Sequence, residues 1–585
     1  VWMGLFGSSF LHETFRRKRV DGASLPLRRW ALMPPSIAFV GAGPTTIYTL
    51  QSLFEHSDAW SRIVIFEREA RAGLGTPYRP GWNDPAMLSN IASVEIPPLT
   101  ETLVDWLRRQ PGKRLTVFGI DPQRIDDRAF YPRLVLGRYF LDQFELMVEK
   151  AKGTGFDVDV RTHHDVLDMS ADAAGGIRVA FEDGRGARRD ELFDYVVMAT
   201  GHQWPEDPEA HPGYFTSPWP ASSLKRIAAA DIGIRGSSLT AIDAVVAIAT
   251  AHGTFAERAD EQVDYRPDEG SEGLRLTMMS RKGLLPEADF YHPIPYKPLR
   301  YCTAEAMEAL IAGHPDDLLA SAFELFRKEL LHADPDYAAH LKLSNITLED
   351  FADRFFADRA EADPFEWAAA NLAEAKANFE AEVTVPWRYA ILRMHEVLAL
   401  IAPHLDEGQL KSFGRYLKPV FIDEYATVPH LSIHRLLAVH RAGCLDVLGV
   451  GDDYKIETNS SARGATVIAN GIPRHFDAFV DATGQPPLDA DDFPFPTLLD
   501  QGIVRDAEQA AEGGSKGISV DDVFHPRSSY PASKRLFCLS IPFVLGRHPF
   551  VQGITSSHEM GSIVGKELAT LIGAHWSPDE KAVAA

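Results

Sequence analysis

Thiols are scarce: three cysteines, Cys302, Cys444 and Cys538, stand far apart in 585 residues. With no Cys-x-x-Cys pair, neither a zinc ribbon nor a dithiol redox centre is indicated, and a reducing, cytoplasmic setting is the expectation. Basic charge is in deficit too. A count of 59 Lys and Arg against 82 Asp and Glu leaves a net charge of −23, which argues against a nucleic-acid surface built from clustered cations. No apolar run approaches the roughly 20 residues of a membrane helix. The His-Glu-x-x-His, Gly-x-Ser-x-Gly and Walker patterns are missing, so metalloprotease, hydrolase and NTPase chemistry lack support. His163-His164 with Asp165 reads as a structural hairpin, and no metal site is predicted.

The stretch from Val1 to Pro35 holds the basic cluster Arg16-Arg17-Lys18-Arg19 but neither the apolar segment nor the cleavage site of a signal peptide. Residues 1–34 are read as a loosely ordered arm. Patterned sequence begins immediately afterwards. Ile37-Ala38-Phe39-Val40 is the short apolar run of a buried parallel strand. Gly41-Ala42-Gly43-Pro44-Thr45-Thr46 follows, then a helical period from Ile47 to Phe54. Strand, glycine turn and helix in that order gather backbone N–H groups and a positive helix end around a pyrophosphate. Gly41 permits the turn, Gly43 admits the phosphates, and Pro44 and Thr45 are further cofactor-binding candidates in the same loop. Thr46 replaces the usual third glycine, which predicts slightly looser helix–strand packing. A second strand, Ile63-Val64-Ile65-Phe66, ends at Glu67, a carboxylate suited to adenosine ribose hydroxyls and unsuited to a 2′-phosphate.

A strand running into a small-residue turn occurs twice, as Phe193-Asp194-Tyr195-Val196-Val197-Met198-Ala199-Thr200-Gly201 and as Phe476-Asp477-Ala478-Phe479-Val480-Asp481-Ala482-Thr483-Gly484. Between them lies a second glycine loop, Ile232-Gly233-Ile234-Arg235-Gly236-Ser237-Ser238, leading into a helix. The next strand, Leu274 to Met279, ends in Ser280-Arg281-Lys282 where the first unit has Glu67. Hydroxyl and positive charge at that place favour NADPH over NADH.

The stretches Gly75-Thr76-Pro77-Tyr78, Leu88-Ser89-Asn90-Ile91-Ala92-Ser93-Val94-Glu95-Ile96-Pro97-Pro98, Tyr131-Pro132-Arg133 with Gly137-Arg138-Tyr139, and Pro549-Phe550-Val551-Gln552-Gly553 resemble the FAD-NAD(P)-binding family of bacterial flavoproteins. The resemblance runs from about Pro35 to about Ile572 and is specific for cofactors, not for substrate. It implies an α/β fold with two Rossmann-like dinucleotide domains, the FAD domain split by an inserted NADPH domain. It also implies FAD and NADPH as cofactors, with a small-molecule substrate and O2 as reactants. The group includes flavin monooxygenases similar to an aspartate N-hydroxylase (nitrosuccinate synthase), which act through a flavin hydroperoxide. Asn90 would run near the flavin, Arg133 and Arg138 would meet FAD phosphate or close the domain core, and Gln552-Gly553 would begin a helix facing the flavin pyrimidine. Pro212 to Pro220 echoes the linker of Baeyer–Villiger enzymes without its histidine, which disfavours that chemistry.

The expected layout is an FAD domain over 35–205 and 476–575, an NADPH domain over 206–302 and 414–475, and a helical insertion over 303–413. An acidic substrate such as aspartate calls for arginine forks, and Arg300, Arg547 and His548 are the candidates. Two other readings stay open: a flavin-binding accessory or sensor protein without turnover, and an NADPH-dependent flavin reductase or oxidase. Neither the substrate nor the oligomeric state is readable.

Overall fold

The computed structural model describes residues 34–173, 175–205, 207–258, 262–458, 462–507, 517–545, 550 and 553–575. The predicted arm, with Arg16 to Arg19, and the candidates Arg547, His548 and Gln552 lie outside the described residues.

The apolar runs at 37–40, 63–66, 195–198, 232–234, 274–279 and 478–481 fold as the strands they predict. The elements that position the site are, in chain order, β1 (Ser36–Val40), α1 (Pro44–His56), β2 (Ser61–Glu67), α2 (Arg133–Ala151), β3 (Phe156–Thr162) and β4 (Tyr195–Met198). Next come β5 (Asp231–Arg235), α3 (Leu239–His252), β6 (Arg275–Ser280), β7 (Leu445–Gly449) and β8 (Ala478–Asp481), then β9 (Leu536–Cys538) and α4 (Gly553–His575). One parallel sheet has the order β9-β4-β1-β2-β3. The other has the order β7-β6-β5-β8, extended by the short strands Tyr214–Phe215 and Glu209–His211. Ile37, Ala38 and Phe39 are fully buried, because helices cover one face of the sheet, over Ile37 and Phe39, and the antiparallel strands Asp165–Ala171, Ile177–Glu182 and Arg188–Phe193 contribute Met169, Val179 and Phe181 over Ala38 on the other.

Two predicted boundaries need correction. β8, with its Ala482-Thr483-Gly484 turn, pairs with β5 in the second sheet, so the domain built on that sheet runs through Gly484 and not to residue 475. The helical insertion extends from Ala304 to Tyr425, not to residue 413. Gly414 looks like a stop in sequence, yet Phe413–Leu417 forms a wide helical turn that leads straight into the helix Lys418–Tyr425.

The expected loosening at Thr46 also fails. Its side chain is fully buried and its hydroxyl donates to the Gly41 carbonyl at 2.7 Å. Close helix packing comes instead from α4, where a Cβ on Gly561 would lie 2.8 Å from Thr49 N and one on Gly565 2.5 Å from Ser52 Cβ.

Arg133 joins the two dinucleotide domains. At the start of α2 it pairs with Asp243 of α3 at 2.6 Å, donates from Nε to the Leu88 carbonyl at 3.0 Å, and lies over the Trp219 ring. Burial pushes the Asp243 carboxyl up to about 6, against the pull of Arg133. Of the two roles open to Arg133, it takes that of closing the core.

Candidate functional site: two matched dinucleotide cradles

The two glycine loops are the same device built twice. Gly41 N donates to Phe66 O at 2.9 Å, and Gly236 N donates to Met279 O at 2.7 Å. Ala199 N reaches Val40 O at 2.9 Å, and Ala482 N reaches Arg235 O at 2.8 Å. Asp194 N bonds Ser36 O at 3.0 Å, and Asp477 N bonds Asp231 O at 2.9 Å. Each glycine has positive φ, +97° at Gly41 and +116° at Gly236, and each faces the alanine carbonyl of its own Ala-Thr-Gly turn. A Cβ would lie 2.4 Å from Ala199 O in the first loop and 2.7 Å from Ala482 O in the second. Only glycine fits either place.

The first loop opens onto a cavity of about 390 Å³. Gly41, Gly43, Pro44 and Thr45 form its floor, with Glu67 at one end and Gly553 of α4 among the lining. Thr200 and Gly201 line it, and Thr200 is fixed to Ser540 through its N–H at 3.0 Å and its hydroxyl at 2.7 Å. A Cβ on Gly43 would come within 3.3 Å of Gly75 Cα, so two chain segments meet at the loop without side chains between them. Glu67 accepts from Ala42 N at 3.2 Å and Glu69 N at 3.0 Å. Burial lifts its carboxyl above the ordinary value while those N–H groups pull it back. A glycine floor at a helix N-terminus beside a strand-end carboxylate fits the diphosphate and ribose of FAD.

At the second loop Ser237 and Ser238 precede α3, with Ser238 as its N-cap. Thr483 donates from N–H and hydroxyl to Asp481, at 3.2 and 2.7 Å, and Asp481 pairs with Arg235 at 2.8 Å. Gly484 has φ of +90°. Gly233 is corrected: it sits inside β5, not in the turn, and a Cβ there would strike the rings of Phe479 and Phe476 at 2.8 and 2.9 Å. It is a packing glycine. Arg281 and Lys282 stand just past the end of β6, in exposed pairs with Asp452 at 3.6 Å and Asp353 at 2.7 Å, and Lys282 also lies over the Phe356 ring at 5.3 Å. Exposed pairs of this kind are worth about 0–1 kcal/mol, so a 2′-phosphate can take the cations over. Replacing both with alanine is expected to raise the KM for NADPH by about tenfold and leave that for NADH unchanged, which steady-state kinetics with each nucleotide will read.

Three other candidates fall outside the cavity. Arg138 does not line it and pairs with Asp142 at 2.8 Å; its neighbour Gly137 is the residue that faces Tyr78, where an added Cβ would meet the backbone carbonyl. Asn90 is exposed and does not line the cavity. Arg300 is exposed in the connector just before the helical insertion, stacked on Tyr301 and beside His332 at 3.4 Å, so it offers no fork to the cleft. His202, Gln203 and Ser557 line the cavity without having been singled out. His202 directly follows an Ala-Thr-Gly turn, which is the signal that could have found it. Ser540, by contrast, is 340 residues from its partner Thr200, and no local pattern marks it.

Beyond the cofactor cradles, the FAD domain, the connector after β6 and the helical insertion meet at a polar junction. Tyr296 donates to Glu95 at 2.9 Å and His292 Nε2 lies 3.7 Å from the same carboxylate. Asp289 is pushed up to about 7 by burial and by Glu95, while Glu559 of α4 is raised to about 7 by burial and by Glu396. Arg393 pairs with Glu396 at 2.7 Å, and Arg128 donates to the His292 carbonyl at 3.0 Å. The four carboxyl groups outnumber the two guanidinium groups. Phe550 packs against His395, Phe413, Phe421 and Tyr425 and so ties the C-terminal part of the chain to the insertion.

Cradles, strand order and cavity define a two-domain flavoprotein that binds FAD and a nicotinamide dinucleotide, an oxidoreductase architecture. Residues 38–203 match the FAD-NAD(P)-binding family, and residues 303–425 match the YdhS-like middle domain, the extent of the helical insertion. The uncharacterized protein YdhS of Escherichia coli (strain K12) is 41% identical over 530 residues, which cover 91% of this chain and 96% of that protein. The chain belongs to the YdhS family. Among solved structures it resembles an ornithine N-hydroxylase from Kutzneria sp. 744, with TM-score 0.46, 15% identity, and coverage of 93% of this chain and 100% of that one. It also resembles the bacillithiol disulfide reductase Bdr from Bacillus cereus, with TM-score 0.41, 11% identity, and coverage of 92% and 99%. No helix among the described residues is long and apolar enough to cross a membrane.

Proposed function

We propose that the protein is an FAD- and NADPH-dependent monooxygenase that hydroxylates a small polar substrate, one bearing an amine. The observation that carries this reading is the pair of matched cradles with a thiol-free, acidic junction beside them. A disulfide-reducing role lacks its dithiol, because Cys302, Cys444 and Cys538 are all buried and unpaired. When bound, the two cofactors supply electron transfer and activation of O2. The chain's own task is to hold them, keep water from the reacting region and govern charge and protons there.

Charge at the junction speaks against aspartate. Glu95, Asp289, Glu396 and Glu559 would repel a dicarboxylate, and Arg300 is turned away. A protonated amine suits the same groups. Asp289, with its value near 7, carries its charge only above neutrality. For a cationic substrate kcat/KM should therefore rise with pH through about 7, and Asp289→Asn should flatten that limb, as read from pH–rate profiles.

The deciding experiment follows NADPH absorbance under oxygen with panels of amines, amino acids and purines. Coupled oxidation stimulated by an amine, with hydroxylated product, is the expected result. Oxidation giving only hydrogen peroxide would make the protein an oxidase. A yellow protein that NADPH never bleaches would make it a sensor.

A further inference from the structure

His202 lines the flavin cavity directly after Thr200-Gly201. The chain on both sides of it is fixed, by the Thr200–Ser540 hydrogen bonds and by Gln203 N donating to Gln485 Oε1 at 3.1 Å. Its ring lies alongside Trp204, with centroids 6.3 Å apart and planes 29° from parallel. Within this rigid setting its Nδ1 is buried and meets no hydrogen-bond partner. Other histidines of the chain place Nδ1 on a carbonyl: His56 on Ser52, His164 on Thr162, His440 on Leu445 and His525 on Leu536, each at 2.8 Å. Buried polar groups in folded proteins are satisfied, and one that is not marks a place where something else binds. Here the orphan atom belongs to a cavity-lining residue.

We propose that His202 is a cofactor-contacting residue whose Nδ1 forms a hydrogen bond with an uncharged polar group of bound FAD, a ribityl hydroxyl or an edge of the flavin ring. The inference rests on reading this cavity as the FAD site. Burial alone pulls the imidazole down to about 4, so at neutral pH it offers one N–H and one lone pair, and no net charge. The diphosphate has its own partners in the N–H groups of the Gly41–Thr45 turn and the start of α1. A neutral imidazole fits a group that is neutral in the cofactor as well.

The test uses the full chain as wild type, His202→Leu and His202→Asn. FAD affinity is measured by quenching of flavin fluorescence on titration into apoprotein, and the visible spectrum of bound flavin is recorded for each. His202→Leu should weaken FAD binding about tenfold and shift the flavin bands, because a cofactor polar group loses its partner. His202→Asn, which keeps a donor and an acceptor close to the Nδ1 position, should stay within about threefold of wild type. If the leucine variant does not fold, the 15N shift of His202 Nδ1 in wild type decides, since it must move when FAD is added. Equal affinity and identical spectra in wild type and His202→Leu, equal losses in both variants, or an unmoved Nδ1 shift would overturn the proposal. A wild-type protein that takes up no FAD would overturn the cavity reading and this proposal together.

Discussion

Replacing Gly41 with alanine should give a folded protein that purifies without yellow colour. The new Cβ would sit 2.4 Å from the Ala199 carbonyl oxygen, a backbone atom that cannot swing aside, at a position where φ is +97°. The left-handed conformation costs a non-glycine residue about 1–3 kcal/mol, and overpacking adds about 1–3 kcal/mol. Relief comes from moving either the glycine turn or the Ala-Thr-Gly crossing, and both line the cavity. FAD affinity should fall about 100-fold or more, at about 1.4 kcal/mol per decade. Gly236→Ala is the matched control, since its Cβ meets Ala482 O at 2.7 Å in the other cradle. That variant should stay yellow and lose NADPH binding instead. Flavin titration, NADPH titration and circular dichroism on both variants make the comparison. Loss of flavin from both, or from neither, would deny the two loops separate roles.

The same pair explains why so much of the site could be read from sequence. Phe-Asp-x-x-Val-x-Ala-Thr-Gly at 193–201 and at 476–484 specifies a buried strand, a carbonyl behind a glycine and a close crossing, all local matters. Each copy belongs to the glycine loop that precedes it, β4 beside β1 and β8 beside β5. Equal sequence implied equal place, and the expected return of the second copy to the flavin domain ignored that. What stayed hidden depends on distant partners. Gly233 has the spacing of a loop glycine, but its role is set by Phe476 and Phe479, more than 240 residues later. Arg138 and Gly137 are adjacent, and helix phase alone decides which of them faces Tyr78. The insertion's true end at Tyr425 was masked by Gly414, whose helix-breaking tendency is absorbed in a wide turn.

Glu287→Ala should destabilise the protein strongly, through the way the insertion is held. Glu287 lies in the connector after β6 and is buried. It pairs with Arg388 and, at 3.4 Å, with Arg359, and accepts from Trp367 Nε1 at 2.9 Å and Asn371 Nδ2 at 3.0 Å. Arg359 also pairs with Asp423 at 2.7 Å, and Arg388 with Glu424 at 3.5 Å. All these partners come from the helical insertion, so one glutamate anchors it to the nicotinamide domain. Removing Glu287 takes the closest partner from Arg388 and strands the buried donors of Trp367 and Asn371, and breaking a buried ionic network in this way costs about 3–5 kcal/mol. The network holds three acids and two arginines, and burial raises the Asp423 and Glu424 carboxyls. Both variants lose one negative charge, which lets Glu424 ionise more readily against Arg388; Glu287→Gln should cost less than alanine because its amide oxygen can still accept from Trp367 Nε1 or Asn371 Nδ2. The sign of the pH effect follows. A carboxyl whose folded value lies above its unfolded one holds an extra proton in the native state between the two, so that share of stability falls as pH rises through the interval. Urea unfolding across pH should show this decline in wild type and less of it in Glu287→Gln. Alanine and glutamine variants as stable as wild type at every pH would mean that the insertion is held by its apolar core and not by this anchor.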